Sequence, residues 1–351
     1  MKDSLERGIL RFHKGMALTV IGLAVFAAHC SAVQNAPLSS CQEIRGIPGP
    51  ADMALDERSS FGGDRLIVAS QERRSHDPEG EYLSGGAIYF VPLSGRNRFQ
   101  AIRFSFNGRD EYPFHPEGLD LISSGGSKYL YVVNYARMQQ PAVELFRVDR
   151  DTLVFMGRYR NSAIQAPSDI VGLGVDQFYL LNGRSDNALV RMGRGLLFQG
   201  SGNLYYVDQY EATMVLRGLS SPSSLALSSD GTTLWIADGS SLKGYQRGSG
   251  SQLDFIGSIS LDGRPGRLSY RDGQIVTAIL PGSWAMRSHA SDSASKVSST
   301  LIQADAGTGS VQLIYQDDGS EMSAANGAIR NGGKIYLGQV YDSFLLACDY
   351  P

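Results

Sequence analysis

The chain has 351 residues, with 32 Lys plus Arg against 35 Asp plus Glu, a formal net charge of −3. A balance this close to neutral, with no basic cluster interleaved with aromatics, argues against a nucleic-acid partner. The length allows two domains, but no Pro/Ser-rich linker interrupts it, and 41 Gly with 17 Tyr and 14 Phe suit many tight turns between strands buried on at least one face.

Residues 1–32 read as a targeting segment. Lys2, Arg7, Arg11 and Lys14 precede an apolar run from Met16 to Ala28 that is short for a membrane span but suits the core of a signal peptide. Small residues at 25–27 and at 30–32 both offer cleavage points. Lipidation of Cys30 or retention as an uncleaved anchor are the alternatives, with His29 a poor neighbour for lipidation. The expected location is outside the cytoplasm: secreted, periplasmic, or held at a membrane through this N-terminal segment.

Beyond it one unit repeats. Its clearest copy is Ala166 to Asn182: a Pro-x-x turn at Pro167, Ser168 and Asp169, an apolar run, a Gly/Asp turn, and a β-rich run ending at Asn182. The same grammar recurs at Pro50, Pro116 and Pro222, and more weakly at Pro265 and Ala325. Six copies at a period of about 55 residues predict radially arranged sheets, a six-bladed all-β propeller over residues 41–351. In chain order the predicted strands start near Met53, Leu66, Ala87 and Ala101 for the first blade. Leu119, Tyr129, Ala142 and Leu153 begin those of the second, and Ile170, Phe178, Leu204 and Thr213 those of the third. The fourth uses Leu225, Leu234, Leu242 and Phe255. Residues 183–203 carry Leu189, Val190, Met192, Leu196, Leu197 and Phe198, which suit either a short amphipathic helix forming a lid or a packed surface loop. The Ser-rich stretch from Ser283 to Ser299 reads as a mobile polar loop.

If Cys30 leaves with the leader, Cys41 and Cys348 remain. A first strand that completes the last blade would bring them together, and an exported pair is expected to be oxidised. The predicted bridge locks the ring.

Several of these residues together resemble the paraoxonase/arylesterase family of calcium-dependent lactonases. They are Met53-Ala54 after Pro50-Ala51-Asp52, Phe114-His115-Pro116-Glu117-Gly118, Pro167-Ser168-Asp169-Ile170-Val171, Ser228-Ser229-Asp230-Gly231 and the terminal cysteines. The resemblance runs from Cys41 to Cys348. It implies a propeller with two calcium ions in its central tunnel and a substrate pocket capped by helices. For the structural calcium it implies Asp52, Asp169 and the Leu119 carbonyl as ligands, a set of hard oxygens suited to that ion. The other reading of each Asp is a turn cap through its own backbone.

The catalytic ion is a different matter. The family's ligand positions fall on Ala51, Ser168, Ser223, Gly266 and Arg267, none of which keeps the family's residue. Two of these lack a polar side chain, two are neutral hydroxyls, and one is a permanent cation. The catalytic histidine pair is replaced by Glu117 and Tyr135, leaving His115 as the nearby imidazole. No Gly-x-Ser-x-Gly elbow, His-Glu-x-x-His pair or phosphate-binding loop is present. The catalytic candidates are therefore His115, Glu117, Tyr135, Ser168, Ser223 and Arg267.

The expectation is a paraoxonase-like exported propeller that keeps a structural calcium, with an altered site that binds a small or anionic ligand at the tunnel face. Glu117 and Arg267, from opposite blades, are expected to pair across the axis, or Arg267 to stay unpaired and take a ligand carboxylate. The alternatives are an active arylesterase or lactonase with a rearranged site, and a propeller of the sugar-lactone hydrolase or strictosidine synthase-like groups.

Overall fold

The computed structural model describes residues 38–75, 83–135, 140–183 and 202–350. The expected targeting segment and nearly all of the 183–203 stretch lie outside the described residues.

Strand β1 (Ser39–Arg45) leads into blade one, built from β2 (Pro50–Ser59), β3 (Gly63–Ser70), β4 (Ala87–Pro92) and the short β5 (Ile102–Arg103). Next comes β6 (Ser105–Asn107), then β7 (Pro116–Ser124), β8 (Ser127–Asn134), β9 (Ala142–Asp149) and β10 (Thr152–Tyr159). Blade three holds β11 (Pro167–Gly174), β12 (Gln177–Asn182), β13 (Gly202–Asp208) and β14 (Glu211–Leu219). Blade four holds β15 (Pro222–Leu227), β16 (Thr233–Asp238), β17 (Ser241–Arg247) and β18 (Leu253–Ser260). Blade five holds β19 (Ser269–Arg271), β20 (Gln274–Ile279), β21 (Ser299–Asp305) and β22 (Val311–Asp317), with helix α1 (Ser283–Ser291) between its second and third strands. Blade six holds β23 (Ala325–Asn331), β24 (Lys334–Gln339) and β25 (Phe344–Asp349).

Consecutive first strands touch from β2 through β7, β11, β15, β19 and β23 and back to β2, so they line the axis of a closed six-bladed ring. The expected propeller is what the chain forms. Second strands are buried nearly throughout: Leu66 to Ser70, Leu130 to Asn134 and Leu234 to Asp238 each lie between neighbouring blades. This explains their continuous apolar runs, since a strand covered on both faces has no solvent side to alternate toward. One buried apolar cluster fills each interface. Phe90 of blade one and Phe146 of blade two belong to one cluster, for example, and Ile44 of β1 shares another with Leu66 and Tyr336 across the seam between blades six and one. Each fully buried side chain of this size contributes roughly 1.5–3 kcal/mol.

The seam is closed as expected. Strand β1 pairs antiparallel with β25, placing Gln42 opposite Ala347 and Glu43 opposite Leu346, and Cys41 is bonded to Cys348 across 307 residues. The predicted outer strand near Ala101 to Phe106 is instead two pieces. Its first half edges blade one, while β6 runs parallel to β10 as a fifth strand of blade two.

The Ser-rich stretch is not a loop throughout. Residues 283–291 form helix α1, held by His289, whose side chain is fully buried. Its Nδ1 lies 2.7 Å from the Ser295 carbonyl, Arg74 donates to its backbone carbonyl, and the Arg74 guanidinium lies 2.6 Å from Asp342. These contacts from blades one and six compensate for a sequence with no apolar stripe of its own.

Candidate functional site

The first strand of five blades carries a bulge near its start. Register slips by one residue between Pro50 and Asp52, Pro116 and Leu119, Pro167 and Asp169, Pro222 and Ser224, and Ala325 and Gly327. A bulge re-aims the side chains beside it, and here the same displacement occurs around the ring. The positions two residues after each Pro, or after Ala325, are Asp52, Gly118, Asp169, Ser224, Arg267 and Gly327. Three of the four non-glycine side chains meet at the axis, and Ser224 binds one of them, Asp169.

Arg267 reaches across from blade five. Its Nη1 lies 3.3 Å from Asp169 Oδ1 and donates to the Ser168 carbonyl at 2.7 Å; its Nη2 donates to the Glu117 carbonyl at 3.2 Å, and its Nε is 3.9 Å from Asp52 Oδ2. The carboxylates it faces are themselves held by backbone. Asp52 accepts from the Met53 and Leu119 amides, each at 2.9 Å, and Asp169 accepts from Ile170 N–H at 2.9 Å, Leu225 N–H at 2.7 Å and Ser224 Oγ at 2.5 Å. Glycines leave the room for this. A Cβ on Gly118 would lie 2.8 Å from Asp169 Oδ1, and one on Gly327 would lie 2.7 Å from Arg267 Cβ.

The same level stitches the ring together. Asp52 joins blade one to two through Leu119, and Asp120 joins two to three through the Gly172 amide at 2.7 Å. Asp169 joins three to four, Ser224 joins four to five through the Leu268 amide at 3.0 Å, and Ser269 donates to the Ala328 carbonyl of blade six at 2.6 Å. Asn326 closes the circle by donating to the Ala51 carbonyl at 2.7 Å.

Electrostatics follow from burial. Desolvation raises the pKa of Asp52, opposed by Arg267 and reinforced by Asp169, and pushes Asp120 up to about 7. Burial would lower the pKa of Arg267, but Asp52 and Asp169 outweigh it, so the guanidinium stays charged. Beyond this level, toward the C-terminal ends of the first strands, lies a cavity of about 230 Å³ with Asp52, Asp120 and Asp169 at one end, Leu55, Leu121 and Leu227 along its walls and Arg271 and Arg330 lining it further along.

On the other side, at the N-terminal ends of the first strands, Glu117 is partly exposed. Its carboxylate does not pair with Arg267. The structure corrects that expectation: Arg267 meets only the Glu117 backbone carbonyl, and the carboxylate lies 3.3 Å from Arg73 Nη2. Arg267 is not left unpaired either, because the two aspartates are nearer and already oriented by amides. Arg73, which follows β3, also donates to the carbonyls of Gly49 at 2.9 Å, Gln71 at 3.1 Å and Pro116 at 3.3 Å. His115 is buried, with its amide on Asn134 Oδ1 at 2.8 Å and its Nδ1 3.0 Å from Gln71 Oε1. Gln71 Nε2 donates to the carbonyls of Glu72 and Ser84, so its Oε1 is the acceptor and His115 Nδ1 carries the proton. The Tyr135 amide donates to the His115 carbonyl at 2.9 Å.

The serine hydroxyls are occupied by backbone. Ser168 Oγ donates to the Leu181 carbonyl at 3.2 Å and Ser223 Oγ to that of Pro265 at 2.8 Å. A nucleophilic serine needs its proton directed at a base, and neither hydroxyl has that arrangement. Arg73, Gln71, Ser224, Asp120 and Asn326 were not anticipated from sequence. Ser224 had a signal in its repeat position, which it shares with Asp52 and Asp169.

The arylesterase family profile matches residues 83–350 of this propeller. The chain belongs to the arylesterase family. Serum paraoxonase/arylesterase 2 of Gallus gallus is 26% identical over 326 residues, 88% of each chain. Serum paraoxonase/lactonase 3 of Homo sapiens is 28% identical over 158 residues, a match that spans 44% of each chain. Among solved structures, a luciferin-regenerating enzyme superposes with a TM-score of 0.56 at 10% identity, covering 88% of this chain and 95% of that one. The calcium-binding protein regucalcin from Agrobacterium tumefaciens gives 0.55 at 10% identity, covering 90% and 96%. At such identities these last two carry the fold alone.

In this arylesterase-family chain the expected structural calcium ligands Asp52, Asp169 and Leu119 lie around Arg267. Asp52 and Asp169 do converge, and among the described residues no group of three or more His, Cys, Asp or Glu is placed to hold a metal. What faces both carboxylates is the Arg267 guanidinium, and the Leu119 group that meets Asp52 is its amide N–H. A divalent ion added beside a fixed guanidinium would meet a like charge at short range. The arrangement does not fit calcium while Arg267 stays in place.

Proposed function

We propose that the protein is an exported, paraoxonase-like propeller whose tunnel mouth binds a small neutral molecule and which lacks calcium-dependent ester or lactone hydrolysis. The observation that carries this is the Arg267 guanidinium at the tunnel axis, 3.3 Å from Asp169 and 3.9 Å from Asp52. Around it, the positions where the resemblance puts the catalytic ion's ligands are Ala51, Ser168, Ser223, Gly266 and Arg267 itself. That set offers no carboxylate, two hydroxyls already donating to backbone, and one permanent positive charge.

Ligand chemistry follows from the exposed groups. Arg73 is engaged by three carbonyls and Glu117, and Arg267 by two carbonyls and two aspartates, so an anion gains little there. Glu117, Ser168 and Ser223 present acceptor oxygens, which favour a ligand bearing N–H or O–H donors. Export is supported by residues 1–32 and by the Cys41–Cys348 bridge, which persists in oxidising compartments.

A second reading, an active hydrolase with a rearranged site, is favoured by family membership and by Glu117 standing beside Arg73 near His115. Assays on phenyl acetate and a panel of γ- and δ-lactones, with calcium and with chelator, separate the two. No turnover in either condition is expected. Calcium-dependent turnover overturns the first reading, and metal-independent turnover abolished by Glu117→Gln establishes the second.

A further inference from the structure

We infer that Arg267 is the resident cation of the tunnel, a tethered substitute for a metal ion, and that removing its charge converts this place into a binding site for a hard divalent cation. The inference rests on the reading of Arg267 given above, but its tests read metal binding and stability, so metal-independent hydrolysis leaves it standing.

Four oxygens from three blades converge on the guanidinium: Asp169 Oδ1 at 3.3 Å, Asp52 Oδ2 at 3.9 Å, the Ser168 carbonyl at 2.7 Å and the Glu117 carbonyl at 3.2 Å. Two are carboxylate and two are main-chain carbonyl, a donor set of hard oxygens. Neither carboxylate can turn away. Asp52 is tied to the Leu119 and Met53 amides and Asp169 to Ile170, Ser224 and Leu225, so the oxygens stay in place whether or not a cation is there.

Two buried carboxylates held this way need a compensating positive charge, and burial without one is costly. In this chain the charge arrives on a side chain. Arg267 enters from blade five at the repeat position that supplies aspartate in blades one and three, and the bare Gly327 leaves room beside it, as Gly118 does beside Asp169. The guanidinium is planar with several N–H donors, so it can serve carbonyls and carboxylates at once where a lysine would offer a single point. A tethered cation also cannot be diluted or chelated.

The test compares the wild-type protein with Arg267→Ala and Arg267→Gln, the latter keeping a polar side chain of intermediate length while deleting the charge. For wild type, thermal melting should coincide in chelator and in calcium, and terbium should show no sensitised luminescence attributable to the tunnel. Both variants should melt lower in chelator. Calcium at a hundredfold excess over Kd should raise them by roughly 4 °C, with one ion bound per chain. Adding Asp169→Asn to either variant should abolish the calcium response. A wild-type protein that carries one calcium per chain and is destabilised by chelator overturns the inference. So does a failure of both charge-deleted variants to gain calcium or terbium binding, including failure to fold with calcium present.

Discussion

Arg65 Nε lies 2.7 Å from Asp56 Oδ2 at the interface between blades one and two, with both side chains 1% exposed. Lys128 also binds Asp56, Arg65 donates to the Arg150 carbonyl, and the guanidinium stacks 4.8 Å from the Phe90 ring centre and 5.1 Å from that of Phe104. Deleting only the acid strands a buried cation. Asp56→Ala should therefore cost about 3–5 kcal/mol in urea unfolding, whereas Asp56→Leu combined with Arg65→Met should recover most of that loss. Equal losses in the two proteins would show that packing, not charge, sets the cost.

The Cys41–Cys348 bridge closes a loop of 307 residues. The chain-entropy model puts its ceiling at roughly 5–6 kcal/mol, and native bridges typically contribute about 2–5 kcal/mol. Reductant should lower the melting temperature of the wild-type protein and leave that of a Cys41→Ser/Cys348→Ser variant unchanged.

Glycines at the axis and at the rim should respond differently to a methyl group. On Gly118 a Cβ would press on Asp169 Oδ1 and Cα, and on Gly266 it would collide with the Asn326 carbonyl; on Gly157, in β10, it meets nothing within 4 Å. Ala at 118 or 266 should lose at least about 1–3 kcal/mol by overpacking, and Ala at 157 should be neutral or slightly stabilising. Chemical denaturation of the three variants decides it.

Asp238 gives a pH signature. Burial would raise its pKa, but Lys243 at 2.7 Å, the Ser221 amide at 2.7 Å and Ser220 together hold it below the ordinary 3.8. A depressed folded pKa means stability that is fully present above the unfolded value and is lost as pH falls below 3.8 through the folded pKa. Asp238→Asn should cost about 1.5–3 kcal/mol at pH 7. The gap to wild type should narrow below pH 3.8. A gap that is constant between pH 7 and pH 3 would contradict this.

The propeller was legible because a Pro-x-x turn and a doubly buried second strand recur together, a pattern that local chemistry imposes in each blade. Convergence of Asp52 and Asp169 was legible for the same reason. What met them was not, because a long side chain such as Arg267 chooses its partners across the tunnel, at sequence separations of about 100 residues and more. Its repeat position, shared with both aspartates, was the available signal. Arg73 sits in a loop with no periodic mark, so its claim on Glu117 could not be read in advance. Helix α1 was hidden by its serines: its own buried His289 is met by Arg74 and Asp342 from two other parts of the chain.

Pairing of β1 with β25 also sets an order of events in time. The first of the described strands finds its partner only after about 300 further residues are made, roughly 15–60 s at ordinary elongation rates. Until then β1 has no β25 to pair with and is a template for another chain's strand. A product halted before Phe344 would keep that open edge permanently. The last blade therefore cannot be completed until both ends of the chain are present, because its outer strand comes from the beginning and its other three from the end.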